Sequence, residues 1–184
     1  MDLSHESDEV LAKEVQNGNS DAFTALVGRY EEKLLRYARK FLARGEDNKD
    51  LVQEVFLKAY INIKSFDVSQ RFSPWIYRIA HNEFINGMKK RIRLPLFVFD
   101  FDTILPHPAS SETADGDLQK KELREMLDKC LDKLDAKYRE PLVLYYFEEQ
   151  SYQEIADILR IPVATVGVRI ARGKKALQTI LKTL

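Results

Sequence analysis

The stretch from Ser151 to Leu181 constrains this chain more than any other. Ser151-Tyr152-Gln153-Glu154 has the form of a capping box: a Ser whose hydroxyl accepts from the helix start, and a Glu that reaches back to the Ser amide. Ile155, Ala156, Ile158 and Leu159 follow at helical spacing. A tight turn around Arg160-Ile161-Pro162 then leads into a basic amphipathic pattern from about Ala164 to Leu181. Two short helices joined by a turn of about four residues, the second one basic, predict a helix-turn-helix. Ala156 is small where the helices must approach, and Ile161, Val166 and Ile170 fill the angle between them. Thr165, Arg169 and Arg172 are left pointing outward near the start of the second helix, the end that enters a major groove. The plainer alternative is a surface helix with solvated cations.

Helical spacing accounts for most of the remaining chain. A short helix over Asp8 to Gln16 is stopped by Asn17-Gly18. Ser20 is the expected cap of a second helix, with Phe23, Leu26, Val27, Tyr30, Leu34, Ala38, Phe41 and Leu42 on its apolar face and Gly45 at its end. A third is expected from about Asp47 to Lys64. A fourth is expected with Ser73 as cap and Pro74 at the first helical position, its apolar face formed by Trp75, Ile76, Ile79, Ala80, Phe84 and Met88. Residues 94–117 break the pattern with Pro95, Pro106, Pro108 and the run Leu96-Phe97-Val98-Phe99-Asp100-Phe101, and are expected to form a linker. Helices resume at Asp117. Asp135 caps a further one, in which Pro141 must kink the helix or move its start. The expectation is an all-α chain of two small helical domains, 1–93 and 118–184, joined by a flexible acidic tether.

Equal numbers of basic and acidic residues, 29 each, give a formal net charge of zero, unusual for a nucleic-acid binder until the charges are located. From Ile158 to Leu184 there are Arg160, Arg169, Arg172, Lys174, Lys175 and Lys182, and no acid. Lys89, Lys90, Arg91 and Arg93 close the first half. Between these clusters, residues 94–117 carry Asp100, Asp102, Glu112, Asp115 and Asp117 without any cation. Two basic patches flank an acidic tether, and that asymmetry says more about partners than the total does. Cys130 is the only cysteine, so neither a disulfide framework nor a cysteine zinc site is expected. The acidic start and the lack of a long apolar run predict neither a signal peptide nor a membrane span, hence a cytoplasmic protein. His5, His81 and His107 are dispersed and no glycine-rich phosphate loop is present, so no catalytic site, metal, cofactor or small-molecule substrate is expected.

Three stretches resemble the extracytoplasmic-function (ECF) sigma factors of bacterial RNA polymerase, in that family's order. They are Asp50-Leu51-Val52-Gln53-Glu54-Val55-Phe56, Trp75-Ile76-Tyr77-Arg78-Ile79-Ala80-His81-Asn82, and Ser151-Tyr152-Gln153-Glu154-Ile155-Ala156 through Thr165-Val166. The resemblance implies an alternative sigma factor whose partners are core RNA polymerase and promoter DNA. It leaves open whether an anti-sigma factor holds the protein, or holds it at the membrane. It assigns Asp50, Leu51, Gln53, Glu54 and Phe56 to the helix that docks on the polymerase clamp. The −10 element falls to the loop from Phe66 and the helix from Pro74, with Asn82 at base edges and Arg78, Lys89, Lys90 and Arg91 on phosphates. An amide suits base edges because it both donates and accepts. Phe66, Phe72, Trp75 and Tyr77 offer stacking surfaces for unpaired bases, although Phe72 and Trp75 are better suited to the core. Thr165, Arg169, Arg172 and Lys174 are the candidate −35 contacts.

Departures from the family pattern fall in the helix-turn-helix. Gly167 and Val168 stand where a basic residue and a Ser are common, and Arg160 replaces the usual turn Gly. Gly167 weakens its helix by about 1 kcal/mol relative to Ala. The tether, 24 residues long, spans at most about 80 Å. Roughly 25 base pairs between promoter elements amount to about 85 Å, and domains of about 11–13 Å radius cover part of that distance. A DNA-binding regulator that never touches polymerase is the competing reading, but it leaves the first ninety or so residues without a role.

Overall fold

Residues 3, 5–42, 48–93 and 125–182 are described by the structure, a computed structural model. Their regular elements are helical throughout: α1 (Asp8–Gln16), α2 (Ser20–Leu42), α3 (Asn48–Asn62), a 3-10 turn (Ile63–Ser65), α4 (Phe72–Arg93), α5 (described over 125–132), α6 (Ala136–Tyr146), α7 (Tyr152–Leu159) and α8 (Val163–Leu181). The expected linker 94–117 with its aromatic run, the cap Asp117 and the stop Gly45 lie outside the described residues.

Local chemistry sets most helix starts. Ser7 Oγ accepts from the Val10 amide at 3.3 Å and caps α1. Asn19 rather than Ser20 caps α2: its Oδ1 accepts from the amides of Asp21 and Ala22. Ser20 thus falls inside the first turn. Ser73 is not a cap either. The helix begins at Phe72, two residues before the expected first position Pro74, and the Phe72 amide donates to the Glu9 carboxylate of α1 at 3.0 Å. A group from a distant helix therefore performs the capping that Ser73 was expected to supply. Asp135 caps α6 through the Lys137 amide, and that hydrogen bond holds its carboxyl below the usual range. Pro141 lies within α6 without displacing its start. Its neighbours Leu142, Val143 and Leu144 are buried, so packing offsets the lost backbone bond. Both arms of the Ser151–Glu154 capping box are formed, at 3.3 and 2.8 Å. Arg160 ends α7 in the left-handed region, at φ 53° and ψ 48°, where glycine is usual.

Helices α1 to α4 pack around Leu11, Leu26, Leu34, Phe41, Val55, Phe72, Ile76 and Phe84. Helices α6 to α8 form the second unit around Leu144, Ile155, Ile158, Val166 and Ile170. Each large side chain enclosed this way contributes about 1.5–3 kcal/mol relative to exposure. Helix α8 approaches α6 closely because Gly173 has no side chain: a Cβ there would lie 2.8 Å from Leu142 Cδ1. The two units are not separate in space. Helix α7 packs on α4 and α6 on α2, and one continuous cluster of buried side chains runs through both halves.

Candidate polymerase and promoter interfaces

Helix α3 buries Val52, Val55, Phe56 and Ala59 and leaves the opposite face in solvent. On that face Asp50, Gln53, Glu54, Leu57 and Ile61 recur at helical spacing. Leu57 is 53% and Ile61 67% exposed, with Tyr60 exposed beside them. The structure thus brings Asp50, Gln53 and Glu54 together as expected and adds two apolar residues that sequence reasoning missed. Their spacing from Asp50 was the signal that could have found them. Leu51 is half-buried, and Phe56 is buried, where it meets Phe23 edge to face at 6.5 Å. The Phe56 ring therefore shapes the helix from beneath and is not a surface contact.

The loop between the 3-10 turn and α4 is held from below by α1. Gln16 Nε2 donates to the Ile63 and Phe66 carbonyls at 2.9 and 2.8 Å. Phe66, expected to stack on unpaired bases, is 5% exposed and packs against Phe72 and Trp75 with ring centroids 5.5 and 5.1 Å apart. Core packing has claimed this ring because the loop folds back onto α1 and α4. Phe72 is fully enclosed, Trp75 is half-buried, and Tyr77 is buried with its hydroxyl hydrogen-bonded across the molecule. Along α4, Arg78, Asn82 and Lys89 fall on one side. Asn82 and Lys89 are exposed. Arg78 is half-buried, and its Nε has no hydrogen-bond partner among the described residues. Lys90 and Arg91 belong to the same helix, but their side chains lie outside what is described.

In α8, Val166 and Ile170 are buried, Thr165 and Arg169 are half-buried, and Arg172 and Lys174 are exposed. The Lys174 ammonium lies 5.8 Å from the centre of the exposed Tyr146 ring. Gly167 faces the Tyr152 ring, at a distance that leaves ordinary contact room for a Cβ. A cationic face thus survives on α8 although Gly167 and Val168 carry no charge.

Sequence reasoning did not see the seam between the halves. Arg36 of α2 holds the Glu148 carboxylate through two hydrogen bonds of 2.9 and 2.8 Å, and the Tyr77 hydroxyl donates to the same carboxylate at 2.7 Å. The Glu148 side chain is fully covered. Burial pushes its carboxyl up, against the pull of Arg36 and Tyr77. Tyr77 and Tyr37 are pushed up as well, first by burial and then by the carboxylates they face, Glu148 and Glu140. Glu140 accepts from the Tyr37 hydroxyl and pairs with His81 Nδ1 at 2.7 Å. Lys40 pairs with Asp128 at 2.7 Å, and Arg71 pairs with Glu154 of the capping box. These partners are so distant in the chain that no local pattern announces them.

Two family models match the chain: Sigma-70 region 2 over residues 26–93 and Sigma-70 region 4 over residues 124–177. The ECF RNA polymerase sigma factor SigW of Bacillus subtilis (strain 168) is 37% identical over 180 residues, which cover 94% of this chain and 95% of that protein. The ECF RNA polymerase sigma-E factor of Escherichia coli (strain K12) is 33% identical over 185 residues, 97% of this chain and 96% of the relative. Among solved structures, CnrH in complex with the cytosolic domain of CnrY superposes with a TM-score of 0.74 at 28% identity, covering 97% of this chain and 99% of that one. The sigma factor RpoE of Bartonella quintana, in complex with the anti-sigma factor NepR, gives 0.70 at 25% identity over 87% of this chain and 96% of that one. The chain belongs to the ECF sigma factors of bacterial RNA polymerase. It is an alternative sigma factor, a DNA-binding partner of core polymerase that directs initiation of transcription at promoters. Among the described residues no helix is long and apolar enough to cross a membrane.

Proposed function

We propose that the exposed strip of α3 is the polymerase-docking surface, built on Asp50, Gln53 and Glu54 and extended by Leu57 and Ile61. The observation that carries this assignment is the pairing of acids with uncovered large apolar side chains on one helix face of a region 2 match. Single exposed apolar residues need no explanation, but a contiguous strip of them suits a partner. Leu51 supports the strip from its edge and Phe56 from beneath. On α4, Asn82 reads base edges of the −10 element, while Arg78, Lys89, Lys90 and Arg91 engage phosphates, which position without specifying. Phe66 braces the loop from the core. On α8, Thr165, Arg169, Arg172 and Lys174 read the −35 element. The protein performs no catalytic step of its own and acts in the cytoplasm. The solved structures of CnrH and RpoE are complexes with a cytosolic domain of CnrY and with an anti-sigma factor, and an anti-sigma factor is the expected partner here as well.

Run-off transcription with core polymerase on a genomic promoter library, with and without the protein, tests the reading. Start sites that appear only when the protein is added are the expected result. A protein that binds DNA yet yields no new start sites would be a helix-turn-helix regulator instead.

A further inference from the structure

The side of α8 that can face a duplex is fixed by the side that cannot. Val166, Ile170 and Gly173 are buried, and they turn α8 toward α6 and α7. Val168 follows Val166 by two residues, which at about 100° each places it roughly opposite that buried line. It is 49% exposed. Ala164 and Ala171, one turn to either side, are exposed with it, as are Arg172 and Lys175. Thr165 and Arg169 are half-buried at the edge of this face. A helix-turn-helix presents the leading residues of its second helix to base edges. From Val163 to Val168 no side chain is charged, and the cations of α8 begin only at Arg169. The centre of the outward leading face is therefore held by a branched hydrocarbon.

Valine neither donates nor accepts a hydrogen bond. Set against the major-groove edge of cytosine, adenine or guanine, it strips water from an amino group, ring nitrogen or carbonyl and returns no partner. Thymine differs. Beside its carbonyl it carries a methyl group at C5, the apolar feature that distinguishes it in that groove. Two hydrocarbon groups in contact shield each other from water, which is favourable. A single exposed valine on an ordinary helix surface needs no explanation. At the centre of a DNA-reading face it selects one base through its lack of polar atoms, and hydrogen-bonded readout is left to Thr165, Arg169 and Arg172.

We propose that Val168 is a specificity-determining residue for the upstream promoter element, recognising the C5 methyl group of one thymine. The proposal rests on the assignment of α8 to the −35 element. A 5-methylcytosine at the same place presents the same methyl group and is accepted there better than cytosine.

Holoenzyme assembled from core polymerase and the full-length protein is titrated with a promoter found by run-off mapping, in which each −35 thymine of either strand is replaced singly by deoxyuridine. Uracil pairs with adenine as thymine does and lacks only the methyl group. One replacement should weaken binding about fourfold, the effect of leaving one methyl group without its contact. Holoenzyme carrying Val168→Ala should bind the thymine and uracil duplexes alike at that position. Its helical circular dichroism should match wild type, because the side chain points away from the core. With guanine opposite, 5-methylcytosine at that position should bind wild type about fourfold more tightly than cytosine does, and the variant should not distinguish them.

A wild type indifferent to every replacement overturns the proposal. A uracil penalty that persists in Val168→Ala overturns it too, since the methyl group would then be read by another residue. The parent assignment is measured separately, by scrambling the whole −35 element. Undiminished binding to the scrambled promoter removes α8 from the groove, and Val168 with it. Binding that falls with the scramble, but with no missing methyl group, leaves α8 in the groove and removes Val168 alone.

Discussion

Two glycines of α8 look alike in the sequence and differ in what surrounds them. A Cβ at Gly167 would meet the Tyr152 ring at 3.5 Å, an ordinary contact, whereas at Gly173 it would meet Leu142 Cδ1 at 2.8 Å and the Tyr138 carbonyl at 3.3 Å. Gly167→Ala should therefore stabilise the protein by about 1 kcal/mol through helix propensity alone. Gly173→Ala should destabilise it by about 1–3 kcal/mol, because α6 and α8 must separate or Leu142 leave its rotamer. Urea unfolding measures both, and equal shifts of the same sign would show that the helix spacing is not set at Gly173. The cost of Gly167 was legible in the sequence because propensity is local. The need for Gly173 was not, since the residue that crowds it lies on another helix.

Among elements, α3 shows how far a pattern can be read. Its inward residues and its acidic face follow from spacing, but the exposure of Leu57 and Ile61 requires knowing that no other helix covers them. If the strip docks on polymerase, Asp50→Lys with Glu54→Lys should abolish binding to core, and Leu57→Ser with Ile61→Ser should weaken it. Helical content should stay intact in both pairs, because neither reaches the Val52, Val55 and Phe56 face. Core affinity measured by fluorescence anisotropy decides this, and undiminished binding by the charge-reversed pair would remove α3 from the interface. Helix starts show the same division. The caps at Ser7, Asp135 and Ser151 are local, and the last two were read correctly. The start of α4 depends on Glu9, more than sixty residues upstream, and was misplaced by two residues.

Over the whole molecule, the all-α architecture, the helix-turn-helix and the order of the two regions were legible, and the closure of the halves was not. Arg36 and Glu148 are 112 residues apart, and nothing local to Glu148 signals that it will be buried. Glu148 supplies a measurable signature of closure. Its carboxyl is raised in the folded chain, chiefly by burial, while Arg36, Tyr77 and Lys33 pull it down. A group raised on folding adds stability that is fully present below its ordinary value of about 4.5 and is lost as pH rises through the raised value. The stability of wild type minus that of Glu148→Gln, which cannot ionise, should therefore fall as pH rises from about 4.5 and level off once the carboxylate is formed. Urea unfolding across a pH series tests this, and a difference independent of pH would mean that Glu148 is not desolvated.

Helix α1 has a bearing on how this protein can be cut. The Sigma-70 region 2 match begins at residue 26, after α1 and within α2. Yet α1 supplies the Glu9 carboxylate that receives the first amide of α4, and the Gln16 amide that ties down the Ile63 and Phe66 carbonyls. It also carries Asp8, which pairs with Arg29 at 2.7 Å and accepts from the Tyr30 hydroxyl at 2.6 Å. A chain trimmed to the family boundary would retain every residue assigned to the −10 element and lose the scaffold that fixes their loop. In hydrogen exchange, the amides of Phe66 and Phe72 should lose protection in a chain starting at Leu26 and keep it in one starting at His5. The smallest piece with an ordered reading loop is set by these hydrogen bonds, made by Asp8, Glu9 and Gln16, which all precede the segment that marks the family.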